Sequence, residues 1–312
     1  MMRPMGRIFV TRKLPFPALD RLSAAHELDV WQGDLPPGPD AMRERLASAD
    51  AVLSLVTDPI GADVLDAAPN LKAIANMAVG TDNVDVAAAA ERGIPVGNTP
   101  DVLTDATADL AFALLLALAR RIPQGEAIVR EGRWRTWEPA ADLGADLAGA
   151  TLGIVGRGRI GDAVARRAEG FGMEVLHHSR SSGVPLEELL ERSDFVSLHC
   201  PLTPETRHLI GTGALERMKP TAYLINTARG PVVDQVALRL ALLDGAIAGA
   251  ALDVTDPEPL PADDPLLEAP NLLVVPHVGS ATVRTRARMA EMAVENLLAA
   301  LDGRAMPYPV RP

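Results

Sequence analysis

Short apolar runs alternate along this chain with segments of helical spacing. In the first hundred residues the apolar runs cover positions 8–10, 28–30, 51–56 and 71–78. Between them, positions 41–48 and 62–68 have the spacing of helices. Because strands that alternate with helices form parallel sheets through βαβ units, this pattern predicts a small α/β domain.

A second and longer alternation follows position 150. Its apolar runs lie at positions 151–156, 174–178, 195–199, 222–226, 248–253 and 272–275. Six strands with helices between them predict a doubly wound parallel sheet, the architecture of Rossmann dinucleotide-binding domains. The predicted fold class is therefore α/β, with a Rossmann domain and a smaller α/β domain.

The domain boundaries follow from two helices. The sequence Asn-Thr-Pro-Asp at 98–101 is a turn and helix-start signal before a long apolar helix over 102–120. A last helix over 282–301 is long enough to return to the first domain and pack on it. We therefore expect a discontinuous domain, a continuous one and a cleft between them, with the discontinuous domain at 1–98 and 285–312 and the other at 99–284.

Composition and charge narrow the class of protein. Hydrophobic residues make up 48% and charged residues 23% of the 312, as in folded globular proteins. A formal net charge of −11 argues against nucleic acid or an anionic membrane as a partner, because either requires a basic patch. The chain start carries no signal-peptide core, and the longest apolar run, 110–119, is about half of what a bilayer requires. We expect a soluble cytoplasmic protein.

A glycine fingerprint follows the first strand of the second alternation. It spans 156–161, between an apolar strand at 151–155 and a helix at 160–171. In this strand-turn-helix context glycines allow a tight turn and the close approach of a pyrophosphate to helix N-terminal amides. The fingerprint predicts a dinucleotide site that includes Gly156, Gly158, Arg159, Ile160 and Gly161.

The end of the next strand bears on the choice of dinucleotide. An NAD site usually has an acidic residue there, to hold the ribose 2′-hydroxyl. This chain has Ser179 at that position, followed by Arg180. A serine can hydrogen-bond a 2′-phosphate and an arginine can neutralise it. The sequence therefore favours NADPH, with NADH possible as an alternative cofactor.

Three polar residues in the last third of the chain have complementary chemistry. Arg229 follows a predicted strand, at the carboxyl end where ligands of open α/β sheets bind, and its guanidinium suits a carboxylate. His277 follows another such strand, and a cationic imidazole there can donate a proton to a new alkoxide. Glu258 is the candidate partner that holds this ring charged. Each residue alone has an ordinary structural explanation.

Two motifs around these residues resemble the D-2-hydroxyacid dehydrogenase family, in its glyoxylate/hydroxypyruvate reductase branch. One is Leu-Asp-Val-Thr-Asp-Pro-Glu-Pro-Leu-Pro at 252–261, and the other is Pro-His-Val-Gly-Ser-Ala-Thr-Val-Arg-Thr-Arg at 276–286. The likeness covers nearly the full length. It implies catalytic roles for Arg229, Glu258 and His277, and a flavodoxin-like fold for the substrate domain.

The resemblance also implies the remaining site residues. Those for substrate, besides Arg229 and His277, are Leu55, Val79, Gly80, Ser280 and Trp137. Those for cofactor, besides the glycine fingerprint, Ser179 and Arg180, are Thr107, Cys200, Thr206, Thr227, Ala228, Asp253 and Gly279. Trp137 lies in an irregular stretch at 132–149 and matches a tryptophan that reaches into a neighbouring subunit, so a homodimer is implied.

Cys200 is the one cysteine, so no intramolecular disulfide can form. We expect a buried structural thiol there, and no metal site in the chain.

The sequence thus favours an NADPH-preferring reductase that converts glyoxylate to glycolate and hydroxypyruvate to D-glycerate. Two alternatives stay open. One is a dehydrogenase for a larger 2-oxo acid such as 2-ketogluconate, because the sequence does not give the shape of the pocket. The other is a nucleotide-sensing, corepressor-like binding protein, against which the joint presence of Arg229, Glu258 and His277 argues.

Overall fold

The computed structural model of the chain describes residues 5–311. They form two compact units, here called unit 1 and unit 2. Unit 1 contains the chain up to Leu103 and again from Ala281, and unit 2 runs from Thr104 to Ser280. Each unit is built on its own parallel sheet with helices, so the predicted α/β class is confirmed.

Unit 1 has a five-stranded sheet with the order β2-β1-β3-β4-β5. Its strands are β1 (Arg7–Val10), β2 (Glu27–Val30), β3 (Ala51–Ser54), β4 (Ala73–Asn76) and β5 (Val96–Gly97). This order is that of flavodoxin-like sheets. The first four strands match predicted apolar runs. The fifth was not predicted, because two residues are too few to show a periodic pattern.

Unit 2 has a six-stranded sheet with the order β11-β10-β9-β8-β6-β7. Its strands are β6 (Thr151–Val155), β7 (Glu174–His178), β8 (Phe195–Leu198), β9 (Tyr223–Asn226), β10 (Gly249–Leu252) and β11 (Leu272–Val274). The chain leaves β6 on one side to form β7 and then crosses to the other side for β8. Ligands of such sheets bind at the carboxyl ends of the strands, beside this switch in order.

Helices connect the strands. Unit 1 contains α1 (Ala18–Ser23), α2 (Pro39–Leu46), α3 (Ala62–Asp66) and α4 (Val86–Glu91), and unit 2 contains α5 (Thr104–Ala119), α6 (Ile122–Arg130), α7 (Arg159–Gly170), α8 (Leu186–Arg192), α9 (Thr212–Arg217) and α10 (Gln235–Leu243). The last helix, α11 (Val283–Leu301), belongs to unit 1 and packs on β3 and β4. Within residues 5–311, none of the helices is both long enough and apolar enough to cross a membrane.

Local structure accompanies the start of each of the two long helices. Asp101 has a φ of 67°, a left-handed conformation outside the helix, and the next two residues form a turn, so α5 begins at Thr104 instead of the expected position 102. The Thr282 side chain accepts a hydrogen bond from the Thr285 amide at 3.1 Å and caps α11. The units accordingly divide after Leu103 and after Ser280.

The sheet of unit 2 is buried on both faces. Along β6, Leu152 and Ile154 pack into an apolar cluster with α5 and α7, whereas Val155 points into the cluster on the opposite face. Gly153 shares that opposite face, and a Cβ there would lie 2.3 Å from the Ser193 Oγ atom. The missing side chain lets α8 approach the strand closely, as two-sided parallel sheets require.

The stretch at 132–149 has no helix or strand. Three of its large side chains are strongly exposed: Trp134 at 68%, Trp137 at 80% and Leu143 at 70%. Leu147 is buried and attaches the end of the stretch to unit 2. Exposed apolar surface of this kind is typical of an interaction site.

Candidate functional site

The glycine fingerprint forms a turn between β6 and α7 that tolerates no side chain at two positions. Gly156 has a φ of 95°, and a Cβ there would lie 2.5 Å from the Cys200 amide nitrogen. A Cβ on Gly161 would lie 2.4 Å from the carbonyl oxygen of Gly156. Both glycines are therefore fixed by backbone packing, as the motif predicts.

The start of α7 fits a phosphate group. Gly158 precedes the helix in an extended conformation, and no side chain caps the helix there. A Cβ built on Gly158 meets no atom within 4 Å, so the space beside the turn is open. An uncapped helix N-terminus next to open space is a ready anion site, because its amides lack intrahelical acceptors. The fingerprint thus fits the pyrophosphate of a dinucleotide.

Ser179 and Arg180 lie in a tight turn after β7. The Ser179 hydroxyl is 2.9 Å from that of Ser182 and 3.1 Å from its carbonyl oxygen, and the Ser179 amide donates to the same carbonyl. Arg180 is exposed at the tip. The Ser179 hydroxyl therefore has a fixed position in the turn, and a cationic side chain follows it.

Arg229 follows β9 in a turn that a buried asparagine holds. The Asn226 side chain donates to the Arg229 carbonyl at 2.9 Å and accepts from the Ala228 amide at 3.0 Å. Asn226 is fully buried, whereas Arg229 is half-buried. Asn226 is not among the site residues predicted from the sequence, although its place directly before Thr-Ala-Arg-Gly is a usable signal for a turn-forming side chain.

His277 and Glu258 are brought together in unit 2. The His277 Nδ1 atom is hydrogen-bonded to the Glu258 carboxylate, and both side chains are about one-third exposed. The Nε2 atom of the ring has no hydrogen-bond partner within residues 5–311. Because the carboxylate occupies one ring nitrogen, the other is available to a substrate.

His277 has an unusual backbone conformation, with a φ of 50°. Its amide donates to the carbonyl oxygens of Asp253 and Val275, at 2.9 and 3.0 Å. The Asp253 carboxylate then binds the next two amides, Val278 at 2.6 Å and Gly279 at 2.9 Å. Burial raises the pKa of Asp253, against the opposing effect of the bond from Val278. This arrangement fixes the loop that carries the histidine.

Thr107 approaches the same loop from α5. A Cβ on Gly279 would lie 3.0 Å from the Asp253 carboxylate and 3.4 Å from the Thr107 side chain. The structure therefore groups Thr107, Asp253 and Gly279, three of the residues expected to contact the cofactor. Ser280, the next residue, is half-buried.

His199 supports Thr227, although the sequence assigned it no role. Its ring lies between the Ser197 hydroxyl, 2.9 Å from Nε2, and the Thr227 hydroxyl, 3.4 Å from Nδ1. Burial lowers the pKa of His199 to about 4, so the ring is neutral at physiological pH. This neutral, half-buried imidazole contacts the Thr227 side chain without adding charge to the site.

Cys200 and Thr206 lie on the loop after β8. Burial raises the pKa of the Cys200 thiol to about 11, so the group is a packed thiol and not a nucleophile. The Thr206 hydroxyl donates to the Pro201 carbonyl and accepts from the Thr203 amide, each at 2.7 Å. These bonds give the loop one shape beside the glycine turn, where Cys200 contacts Gly156.

In unit 1, the loop after β4 leaves two consecutive amides unpaired. The Val79 carbonyl accepts from the Asn98 side chain at 2.9 Å, and the Gly80 carbonyl accepts from the Asn76 side chain at 3.0 Å. The amides of Val79 and Gly80 have no acceptor in the described part of the chain. Successive free amides on a fixed backbone suit an anion such as a carboxylate.

A second asparagine joins this loop to the one that carries Leu55. The Asn83 side chain donates to the carbonyls of Leu55 and Asp58, both at 2.9 Å, and accepts from Asn76 at 3.0 Å. Asn76 is fully buried. This network holds the two loops of unit 1 in one arrangement, and nothing in the local sequence pattern indicates it.

Metal ligation has no support in the described residues. No group of three or more His, Cys, Asp or Glu side chains in that part of the chain has the spacing of a metal site. The polar groups of the candidate site in unit 2 are instead Arg229, His277 with the Glu258 carboxylate, and the glycine turn that suits an anion.

Comparisons with known proteins agree with this chemistry. Residues 112–279 match the model of the D-isomer specific 2-hydroxyacid dehydrogenase family, NAD binding domain. A glyoxylate reductase of Korarchaeum cryptofilum is 54% identical over 96% of this chain and 94% of its own length.

Two solved structures are also similar. The TT0316 protein of Thermus thermophilus has a TM-score of 0.93 and 52% identity, covering 98% of this chain and 100% of that one. An NADPH-dependent glyoxylate/hydroxypyruvate reductase of Sinorhizobium meliloti, solved with NADP and malonate, has a TM-score of 0.84 and 36% identity, covering 98% and 96%.

We predict that Asn226→Ala lowers the free energy of unfolding by about 1 to 3 kcal/mol, because it leaves the Ala228 amide and Arg229 carbonyl without their buried partner. Urea denaturation measures the change. Asn70→Ala, at an exposed asparagine, is the matched control and is expected to stay within about 0.5 kcal/mol of the unsubstituted protein. Equal denaturation curves for both variants would contradict the role assigned to Asn226.

Proposed function

Because this chain belongs to the D-isomer specific 2-hydroxyacid dehydrogenase family and is an NAD(P)-dependent oxidoreductase, we propose that it reduces glyoxylate to glycolate and hydroxypyruvate to D-glycerate, with a preference for NADPH. The observation that carries this proposal is the His277–Glu258 pair at the edge of the unit 2 sheet. Arg229 follows β9 and His277 follows β11, so both lie at the carboxyl edge of one parallel sheet.

His277 is assigned as the proton donor. When bound, the reduced nicotinamide supplies the hydride to C2 of the 2-oxo acid. The oxygen of that carbonyl gains negative charge, and the imidazolium donates its Nε2 proton to it. Glu258 holds the other ring nitrogen, Nδ1, and so orients Nε2 towards the substrate.

The substrate carboxylate is assigned to positively polarised groups. The Arg229 guanidinium suits a carboxylate and also polarises an adjacent carbonyl. The unpaired amides of Val79 and Gly80 likewise suit a carboxylate, and we assign them to substrate binding. Leu55, Ser280 and Trp137 are assigned as residues that shape the substrate site.

The cofactor is assigned to unit 2. Its glycine turn holds the pyrophosphate, Ser179 and Arg180 bind the 2′-phosphate, and Arg159 and Ile160 begin the helix that faces the pyrophosphate. The remaining contacts are assigned to Thr107, Cys200, Thr206, Thr227, Ala228, Asp253 and Gly279. The absence of an acid at the end of β7 supports NADPH over NADH, and NADP is bound in the S. meliloti reductase.

A homodimer is proposed from the exposed apolar side chains of unit 2. Ile122 and Val129 on α6 are 56% and 58% exposed, and Trp134, Trp137 and Leu143 follow in the irregular stretch. These residues are close in sequence and suit the surface of a second copy. Trp137 is the one assigned to the neighbouring subunit's substrate site. We place the dimer in the cytoplasm, in line with the single buried thiol.

Steady-state kinetics with a panel of 2-oxo acids tests the function. Glyoxylate, hydroxypyruvate and 2-ketogluconate are each supplied with NADPH and with NADH, and the oxidation of the nicotinamide is followed by its absorbance. The proposal requires the highest kcat/KM for the two small acids. A higher value for 2-ketogluconate would replace the substrate assignment, and no turnover with any acid would favour the nucleotide-sensing alternative.

We predict that Arg180→Ala raises the KM for NADPH about 10-fold or more and leaves the KM for NADH nearly unchanged. The physical reason is the loss of one charge-assisted contact to the 2′-phosphate, worth about 1.5 to 3 kcal/mol. Initial rates with saturating glyoxylate measure both constants. Equal losses with the two cofactors would remove Arg180 from the 2′-phosphate site.

We predict that His277→Ala lowers kcat for glyoxylate reduction about 100-fold or more, as expected for a lost general acid. Glu258→Gln is the more specific test. The ring loses the carboxylate that fixes its orientation at Nδ1, so kcat for glyoxylate reduction falls about 10-fold or more while the KM for NADPH changes less than 2-fold. Steady-state kinetics measures both constants. An unchanged kcat in the Glu258 variant would exclude Glu258 as the partner.

We predict that Trp137→Ala changes the ratio of kcat/KM for hydroxypyruvate and glyoxylate by about 5-fold or more, while the KM for NADPH changes less than 2-fold. A lost apolar contact with the substrate is worth about 1 to 3 kcal/mol of discrimination. Trp134→Ala, at a neighbouring exposed tryptophan, is the control. A monomer by light scattering, or the same ratio in both variants, would contradict the assignment.

A further inference from the structure

We propose that Arg157, the variable residue between the first two glycines of the fingerprint, is a second cationic contact for the cofactor 2′-phosphate, held in position by His177 and Asp162. This inference rests on the proposed preference for NADPH. It concerns a residue that the motif leaves unspecified, and so neither the glycine pattern nor the Ser179-Arg180 turn assigns it a role.

The Arg157 guanidinium is held on two sides. Its Nε atom donates to the Asp162 carboxylate on α7 at 2.9 Å. Its Nη1 atom is 2.9 Å from the Nδ1 atom of His177 on β7. The third nitrogen, Nη2, has no hydrogen-bond partner within residues 5–311, and the side chain is 43% exposed. One donor nitrogen is therefore available to a ligand.

The contact with His177 fixes the state of the imidazole. A guanidinium has donors and no acceptor, so Nδ1 of His177 must accept the hydrogen bond and carry no proton. Burial lowers the pKa of His177, and the positive charge of Arg157 lowers it further, whereas Asp162 acts in the opposite direction. The ring is therefore neutral at physiological pH, and it accepts the hydrogen bond without adding a charge beside Arg157.

The position of His177 places this guanidinium beside the 2′-phosphate turn. His177 precedes Ser179 by two residues in the last part of β7, which is one of the two edge strands of the sheet. The Gly156 amide donates to the His178 carbonyl at 2.9 Å, so the glycine turn and the end of β7 are directly joined. Arg157 therefore contacts the chain two residues before Ser179, and Arg180 directly follows Ser179.

Two cations suit the charge of the group. A phosphate monoester carries about −1.5 to −2 charges at pH 7 and has three acceptor oxygens, more than one arginine can satisfy. The Ser179 hydroxyl is already engaged with Ser182 and offers the ligand only part of its hydrogen-bonding capacity. A second guanidinium supplies the remaining donors.

A purely structural role for Arg157 predicts a different result. If the side chain only joins α7 to β7, its removal lowers the affinity for every nucleotide that binds the glycine turn by the same factor. If it contacts the 2′-phosphate, its removal lowers the affinity only for ligands that carry this phosphate. The difference between matched ligands therefore separates the two roles, and it requires no catalytic readout.

The test is isothermal titration calorimetry of the full chain with adenosine 2′,5′-bisphosphate and with AMP, which differ only in the 2′-phosphate. In Arg157→Met, which keeps an unbranched apolar stem and removes the guanidinium, we expect the Kd for the bisphosphate to rise about 10-fold and the Kd for AMP to change less than 2-fold. AMP binding also shows that the variant is folded. Arg192→Met, which removes an arginine paired with Glu188 on α8, is the control and leaves both values unchanged.

His177 variants test the positioning role. His177→Ala removes the acceptor for Nη1 and is expected to raise the Kd for the bisphosphate about 3-fold, whereas His177→Asn, which can offer an amide oxygen, restores part of the affinity. An unchanged ratio of the two Kd values in Arg157→Met would overturn the inference and leave the proposed function intact, whether or not both affinities fall. Equal affinity of the unsubstituted protein for the two ligands would reject the proposed NADPH preference together with the inference.

Discussion

The buried carboxylate of Asp253 is the constraint on which the proposed catalytic geometry depends. Its two oxygens bind the amides of Val278 and Gly279, directly after a histidine whose φ of 50° is strained for a residue with a side chain. Such a conformation costs about 1 to 3 kcal/mol, and two charge-assisted hydrogen bonds are of a size to offset it. The strained backbone presents the His277 ring to Glu258.

The strand pattern of this fold could be predicted because parallel strands are buried on both faces. All six strands of unit 2 and four of unit 1 coincide with apolar runs, and the predicted fold class and family are confirmed. β5 could not be predicted, because its two residues carry no period and its place depends on pairing with β4. The start of α5 lies two residues after the predicted position, because Val102 and Leu103 belong to a turn that hydrophobicity does not encode.

For the site, sequence identifies groups with a chemical signature but not the residues that support them. Arg229, Glu258, His277 and the glycines stand out because their chemistry and spacing are specific, and their roles here are proposals that the structure supports with geometry. The side chains of Asn226, Asn83 and His199 act through tertiary hydrogen bonds to distant backbone or hydroxyl groups. Contacts of this kind, including the one between Arg157 and His177, appear only once the chain is folded.

The buried thiol of Cys200 is chemically unreactive, and this makes the chain suitable for labelling at an introduced cysteine. Burial raises the pKa of its thiol to about 11, so almost none of it is ionised at pH 7, and thiolate is the form that alkylating agents and peroxides attack. Since it is the only cysteine, the native chain is almost silent towards thiol reagents. A cysteine introduced at an exposed position would therefore carry a spectroscopic label alone, without prior removal of the natural one.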